Sequence, residues 1–170
     1  MLRAFLPCFF LALLLQSAVA QSTVFLVRHA EKAEASGANE KDPELSETGR
    51  ARATSLAGML RDVRITHVFA TEYKRTQQTA RAVAERTDSE VTIVPAKETA
   101  QLIAKLKEIT GNVLVVGHSN TLPEILAALG AAERLQIDET EYDNLFLWTP
   151  ATKQLLRLRY PTANANSQRD

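Results

Sequence analysis

From residue 23 to residue 160, short apolar runs alternate with stretches whose apolar positions recur every three or four residues. Runs of the first kind, rich in β-branched and aromatic residues, predict buried strands; the second kind predicts helices with one face turned inward. Thr23-Val24-Phe25-Leu26-Val27 is such a strand, ending at Arg28-His29. A polar loop follows from Glu31 to about Ser46, punctuated by Gly37, Asn39 and Pro43. Thr48 to Arg61 sets Ala53, Leu56, Ala57 and Leu60 on one helical face, and His67 to Ala70 reads as a strand. Tyr73 to Arg86 is predicted as a helix with Thr76, Ala80, Val83 and Ala84 along one side. The pair then repeats, as a strand over Val91 to Val94 and a helix over Lys97 to Ile109 with Ile103, Leu106 and Ile109 inward. Asn112 to Gly117 is the most apolar strand, which places it centrally and covered on both faces. Thr121-Leu122-Pro123-Glu124 predicts a helix start, with a threonine cap, a proline in the first turn and a glutamate closing a capping box. Two last strands, Asn144 to Thr149 and Gln154 to Tyr160, flank Pro150-Ala151-Thr152-Lys153 and predict a hairpin.

Strands alternating with helices predict one domain with the architecture of a three-layer α/β/α sandwich around a mostly parallel sheet. Ligands of such sheets bind beyond the carboxyl ends of the strands. Three predicted strand ends carry reactive side chains: Arg28-His29, Thr71 leading to Arg75, and His118-Ser119.

The ends of the chain read differently. Residues 1–20, MLRAFLPCFFLALLLQSAVA, have one basic residue, an apolar stretch through Leu15 and Ala18-Val19-Ala20 at the close. That is the form of a cleaved secretory signal, and its apolar run is short of the roughly 20 residues a spanning helix needs. A periplasmic or secreted protein with no stable membrane anchor is the expectation, its domain running over residues 21–160 and a polar tail over 161–170. Cleavage would remove Cys8, the only cysteine, and with it any disulfide, thiol nucleophile or thiolate ligand. Twenty Lys and Arg balance twenty Asp and Glu, so a nucleic-acid partner has no electrostatic support.

Gly117-His118-Ser119-Asn120-Thr121 approaches the G-x-S-x-G turn that exposes a serine nucleophile. In hydrolases built on that turn the histidine follows the serine in the chain. Here the histidines are 29, 67 and 118, and none follows Ser119. Ser119 is therefore read as a helix-start residue that bonds locally or to an anion. His29-Ala30-Glu31 matches the first half of a zinc-deaminase pattern, but the P-C-x-x-C half is missing. A neutral imidazole is a competent nucleophile toward phosphorus, and an arginine fork suits phosphate oxygens. Arg28, His29, Arg75 and His118 at neighbouring strand ends would make a phosphoryl pocket that needs no metal. Taken singly, a strand-end histidine or a helix-start arginine has an ordinary structural reading, and His67 is assigned one.

Four separated segments resemble the histidine phosphatase superfamily, the phosphoglycerate-mutase-like phosphatases. FLVRHAEK is similar to its strand with an Arg-His-Gly signature, with Ala30 where the family pattern has glycine. Pro43-Glu44-Leu45-Ser46-Glu47-Thr48-Gly49-Arg50 is similar to its L-[ST]-x-x-G stretch, FATEYKRTQQTA to its second-arginine segment, and VLVVGHSNT to its second-histidine segment. The resemblance implies a phosphoglycerate-mutase-like fold and a phosphatase without cofactor or metal. It implies that His29 attacks phosphorus and becomes phosphohistidine, while Arg28, Arg75 and His118 hold the phosphoryl oxygens. Ser46, Thr48 and Ser119 would lie at the pocket rim, and Glu98 is the expected general acid, with Glu31, Glu141 and Asp143 as rivals.

The expected activity is hydrolysis of a phosphorylated small molecule. A mutase is disfavoured, since its phosphorylated priming cofactor is hard to supply outside the cytoplasm. Two alternatives stay open: a protein that binds or senses a phosphorylated ligand with little turnover, and a phosphohistidine protein phosphatase. Segments Glu31 to Ser46 and Gly130 to Asp143 match no specificity pattern, and oligomeric state is open.

Overall fold

The computed structural model describes residues 22–34, 41–132 and 135–162. The signal read over residues 1–20 and most of the tail read over 161–170 lie outside them. The elements, in chain order, are β1 (Val24–Arg28), α1 (Glu47–Leu60), β2 (Ile65–Ala70), α2 (Lys74–Thr87), β3 (Val91–Ile93), α3 (Thr99–Glu108), β4 (Asn112–Gly117), α4 (Thr121–Leu129), β5 (Asn144–Thr149) and β6 (Gln154–Arg159). One sheet carries all six strands in the order β3-β2-β4-β1-β5-β6. Its first four strands are parallel, and the β5–β6 hairpin adds to β1 antiparallel.

Side chains alternate across the pleat, so each central strand feeds two cores. Val24 and Leu26 of β1 join Val113 and Val115 of β4 under Leu102, Leu106, Leu122 and Ile125 from α3 and α4. Phe25 and Val27 join Leu114 and Val116 against Leu56, Leu60, Ala80 and Val83 from α1 and α2. Both faces are therefore covered, which is why β1 and β4 read as unbroken apolar runs. The expected three-layer α/β/α sandwich is the one observed.

Helix starts differ from expectation in ways that bear on function. Ser46 caps α1, its hydroxyl accepting the Gly49 N–H at 3.0 Å, while the Ser46 N–H donates to the Glu31 carbonyl at 2.9 Å. Leu45 packs with Ala30 and Ala53. The Leu45–Gly49 stretch thus clamps the chain immediately after His29. Thr121 does not cap α4; its hydroxyl accepts the His118 N–H at 2.9 Å, tightening the turn between strand and helix. Tyr73 contributes no side-chain cap to α2. The Asp42 carboxylate, from the long loop, accepts the Lys74 N–H at 3.1 and 3.2 Å instead.

Gly49 is the tightest point of the clamp, because a Cβ there would lie 2.1 Å from the Glu31 carbonyl oxygen. Gly58, on the same helix, has nothing within 4 Å. Gly49→Ala is expected to destabilise the protein by on the order of 1–3 kcal/mol, and Gly58→Ala to stabilise it by about 0.5–1 kcal/mol. Urea denaturation of the two variants checks the opposite signs.

Candidate active site

Strand register assembles the site. Arg28 pairs with Gly117 across β1 and β4, and the His29 N–H donates to the Gly117 carbonyl at 2.9 Å. The residues that follow, His29 and His118, therefore leave the sheet side by side, with ring centroids 5.3 Å apart and planes at 66°. Ala70 pairs with Val116, which brings Thr71 alongside. Its hydroxyl lies 3.0 Å from His118 Nε2 and 2.8 Å from the Thr76 hydroxyl. Arg75, in the first turn of α2, lies with its guanidinium 4.4 Å from the Tyr73 ring centre and 3.6 Å from Asp42.

Arg28, His29, Arg75 and His118 face one open cleft of about 550 Å³. Of the expected site residues, Arg28, His29, Arg75, His118 and Ser119 line it, and Lys32, Tyr73, Lys97, Glu124 and Glu139 join them. The others lie elsewhere. Ser46 is spent on the α1 cap, and Thr48 is exposed on that helix. Glu98 is the exposed N-cap of α3 and borders a small, mostly apolar pocket under that helix, outside the cleft. Its rivals are held in ion pairs: Glu31 with Arg52, Glu141 with Arg157 and Arg159, and Asp143 with Arg159. His67 is exposed at the far end of the sheet, on β2, beside Thr66.

Sequence reasoning missed Glu139 and Tyr142. Arg28 is 4 % exposed, and a buried cation must be paired and hydrogen-bonded. Its Nη1 donates to the carbonyls of Asp138, Glu139 and Glu141 at 3.1, 2.7 and 3.3 Å. Its Nη2 meets the Glu139 carboxylate at 2.6 Å, and its guanidinium lies 4.2 Å from the Tyr142 ring centre. The only sequence signal for this partnership was an acidic stretch before β5 that matched no pattern.

Tautomers follow from the partners. His29 Nδ1 is 2.7 Å from the Ala30 carbonyl, which only accepts, so Nδ1 carries the proton and Nε2 keeps its lone pair. Around His118, the chain that satisfies each oxygen runs from Nε2–H to the Thr71 hydroxyl, on to Thr76, and on to the Tyr73 carbonyl. The Nδ1 lone pair of His118 is then free to take a proton when an anion arrives. Burial, helped by the charges of Arg75 and Arg28 and by the His118 ring, pushes His29 down to about 3. Burial and Arg75 push His118 down to about 4. Both are neutral at pH 7, and the two guanidiniums supply the positive charge. Among the described residues, no group of three or more His, Cys, Asp or Glu side chains is placed to hold a metal ion.

Residues 24–98 match the model of the histidine phosphatase superfamily (branch 1). The chain is 32% identical over 104 residues to Probable phosphoglycerate mutase GpmB of Enterobacter sp. (strain 638), covering 59% of this chain and 44% of that one. It is 31% identical, with the same coverage, to the protein of that name from Cronobacter sakazakii (strain ATCC BAA-894). The match spans less than half the length of these relatives. Among solved structures, the protein histidine phosphatase SixA complexed with tungstate superposes with a TM-score of 0.63 at 20% identity, over 82% of this chain and 96% of that one. A mycobacterial glucosyl-3-phosphoglycerate phosphatase gives 0.57 at 16% identity, over 83% and 99%. These two likenesses show the fold.

The neutral histidines make stability pH-dependent. Each binds its proton more weakly in the folded chain than at its usual 6.5, so the unfolded chain takes up protons first as pH falls. Stability present above pH 6.5 is lost as pH drops toward about 4 and then about 3. Thermal unfolding is expected to show a falling Tm across this window, with a shallower fall in the double variant His29→Asn, His118→Asn.

Proposed function

We propose that this chain, whose residues 24–98 match the model of the histidine phosphatase superfamily (branch 1), is a metal-independent phosphomonoester hydrolase working through phosphohistidine on His29. The observation that carries the reading is the bond between His29 Nδ1 and the Ala30 carbonyl. It leaves a neutral Nε2 open to a cleft lined by two arginines. In the first step Nε2 bonds to phosphorus as the bond to the leaving oxygen breaks. In the second, water attacks phosphorus and the P–N electron pair returns to Nε2.

Arg28, Arg75 and His118 surround the phosphoryl oxygens and stabilise the charge spread over them in the transition state. Ser119 is not read as the nucleophile: its hydroxyl donates to Glu139, and no hydrogen bond joins it to a histidine among those described. A pure binding role is disfavoured, since binding an anion does not require a histidine held in the nucleophilic tautomer. The substrate is read as a phosphorylated small molecule, and residues 1–20 support export as part of the same proposal.

Phosphate release from an aryl phosphate in the presence of a chelator tests the reading. Turnover is expected to persist in the unaltered chain and to vanish in His29→Ala, together with the acid-labile, base-stable phosphoryl label on the protein that phosphohistidine gives. Arg75→Ala is expected to lose about 10²–10³-fold in kcat. Equal turnover in the unaltered chain and His29→Ala would overturn the mechanism.

A further inference from the structure

We infer that Glu139 is the proton carrier of this site, displaced from Arg28 by the phosphoryl group and then protonating the leaving oxygen. The inference rests on the phosphohistidine reading above and adds the acid that reading lacks. Three observations point to it. Glu139 lines the same cleft as His29 and His118, whereas Glu98, Glu31, Glu141 and Asp143 do not. Its carboxylate bridges two cleft residues, accepting from Ser119 Oγ on one oxygen and from Arg28 Nη2 on the other. And Arg28 Nε, on the same guanidinium edge as Nη2, is buried with no hydrogen-bond partner among the described residues.

That edge presents two donors to two oxygens of one anion, and Glu139 takes one of them. A phosphoryl group taking both Nε and Nη2 must push the carboxylate off. Glu139 cannot leave the site, because its own carbonyl and those of Asp138 and Glu141 are held by Arg28 Nη1. Its side chain is 77% exposed and free to swing. It therefore stays within one side chain's reach of the phosphorus while losing its contact with Arg28. The Ser119 hydroxyl, with Arg28 and Lys32, holds the carboxyl below its usual range. Facing a phosphoryl dianion instead, it takes a proton from solvent.

The proton then balances over the cycle. As the P–N bond forms and the P–O bond breaks, the carboxyl proton goes to the departing oxygen and gives an alcohol. Water next attacks phosphorus, its proton goes to the Glu139 carboxylate, and phosphate leaves. Glu124 also lines the cleft, from the first turn of α4, but makes no hydrogen bond to Arg28 or Ser119 among those described.

The test compares a nitrophenyl phosphate, whose leaving group needs no proton, with an alkyl phosphate, whose leaving group does. It uses the unaltered chain, His29→Ala, Glu139→Gln and Glu139→Asp, reading kcat/KM, which reports the first transfer. Glu139→Gln is expected to lose about 10²–10⁴-fold on the alkyl phosphate and far less on the nitrophenyl ester, with Glu139→Asp partly restoring the difference. Calorimetry should show severalfold tighter binding of inorganic phosphate to Glu139→Gln, because the competing carboxylate is gone. Equal losses on both substrates, no loss on either, or a leaving-group effect seen instead in Glu124→Gln would overturn the role of Glu139 while leaving the His29 mechanism standing. An unaltered chain inert toward both substrates would overturn the underlying reading, and this inference with it.

Discussion

One backbone hydrogen bond, from the His29 N–H to the Gly117 carbonyl, sets the geometry on which the cleft depends. It is the last rung between β1 and β4, and it holds the chain in register at the point where both strands leave the sheet. Because the strands are parallel, both exits point the same way, and the next side chains on each strand are histidines. A slip of one residue would turn Arg28 and His29 to opposite faces. The buried apolar sets on both faces of β1 and β4 oppose such a slip, so the two cores secure the position of two rings.

Having two histidines and an arginine buried together imposes an electrostatic order. Arg28 stays charged, so it needs partners, and it takes them from the chain between α4 and β5: three carbonyls, one carboxylate and one aromatic face. The imidazoles respond the other way. Burial beside two guanidiniums keeps them neutral, which leaves one lone pair on each ring for the cleft. The positive charge of the site is thus carried by the guanidiniums, and His29 is kept in the neutral form that the proposed mechanism uses.

Sites defined by local pattern were legible and sites defined by distant contact were not. The α/β alternation could be read because periods of two and of three to four residues are imposed by one strand or helix at a time. Ser46 and Thr48 were placed at a rim, yet they lie in the clamp behind His29, where Ser46 caps a helix and Gly49 lets it approach Glu31. Thr121 looked like a helix cap and instead holds the amide of His118. In each case the residue type was informative about hydrogen bonding but silent about which neighbour would be near.

By itself the sequence determined the order and kind of the elements, the covering of the central strands on both faces, and the convergence of Arg28, His29, Arg75 and His118. Strands of a parallel sheet must end on one side, and short-range periodicity says where each ends. Only the tertiary structure decided that Glu98 is not among the residues lining the cleft and that Glu139 reaches Arg28. Those two residues are 111 positions apart. No local preference encodes that contact; it arises because a buried guanidinium must be satisfied, and the loop before β5 passes close enough to satisfy it.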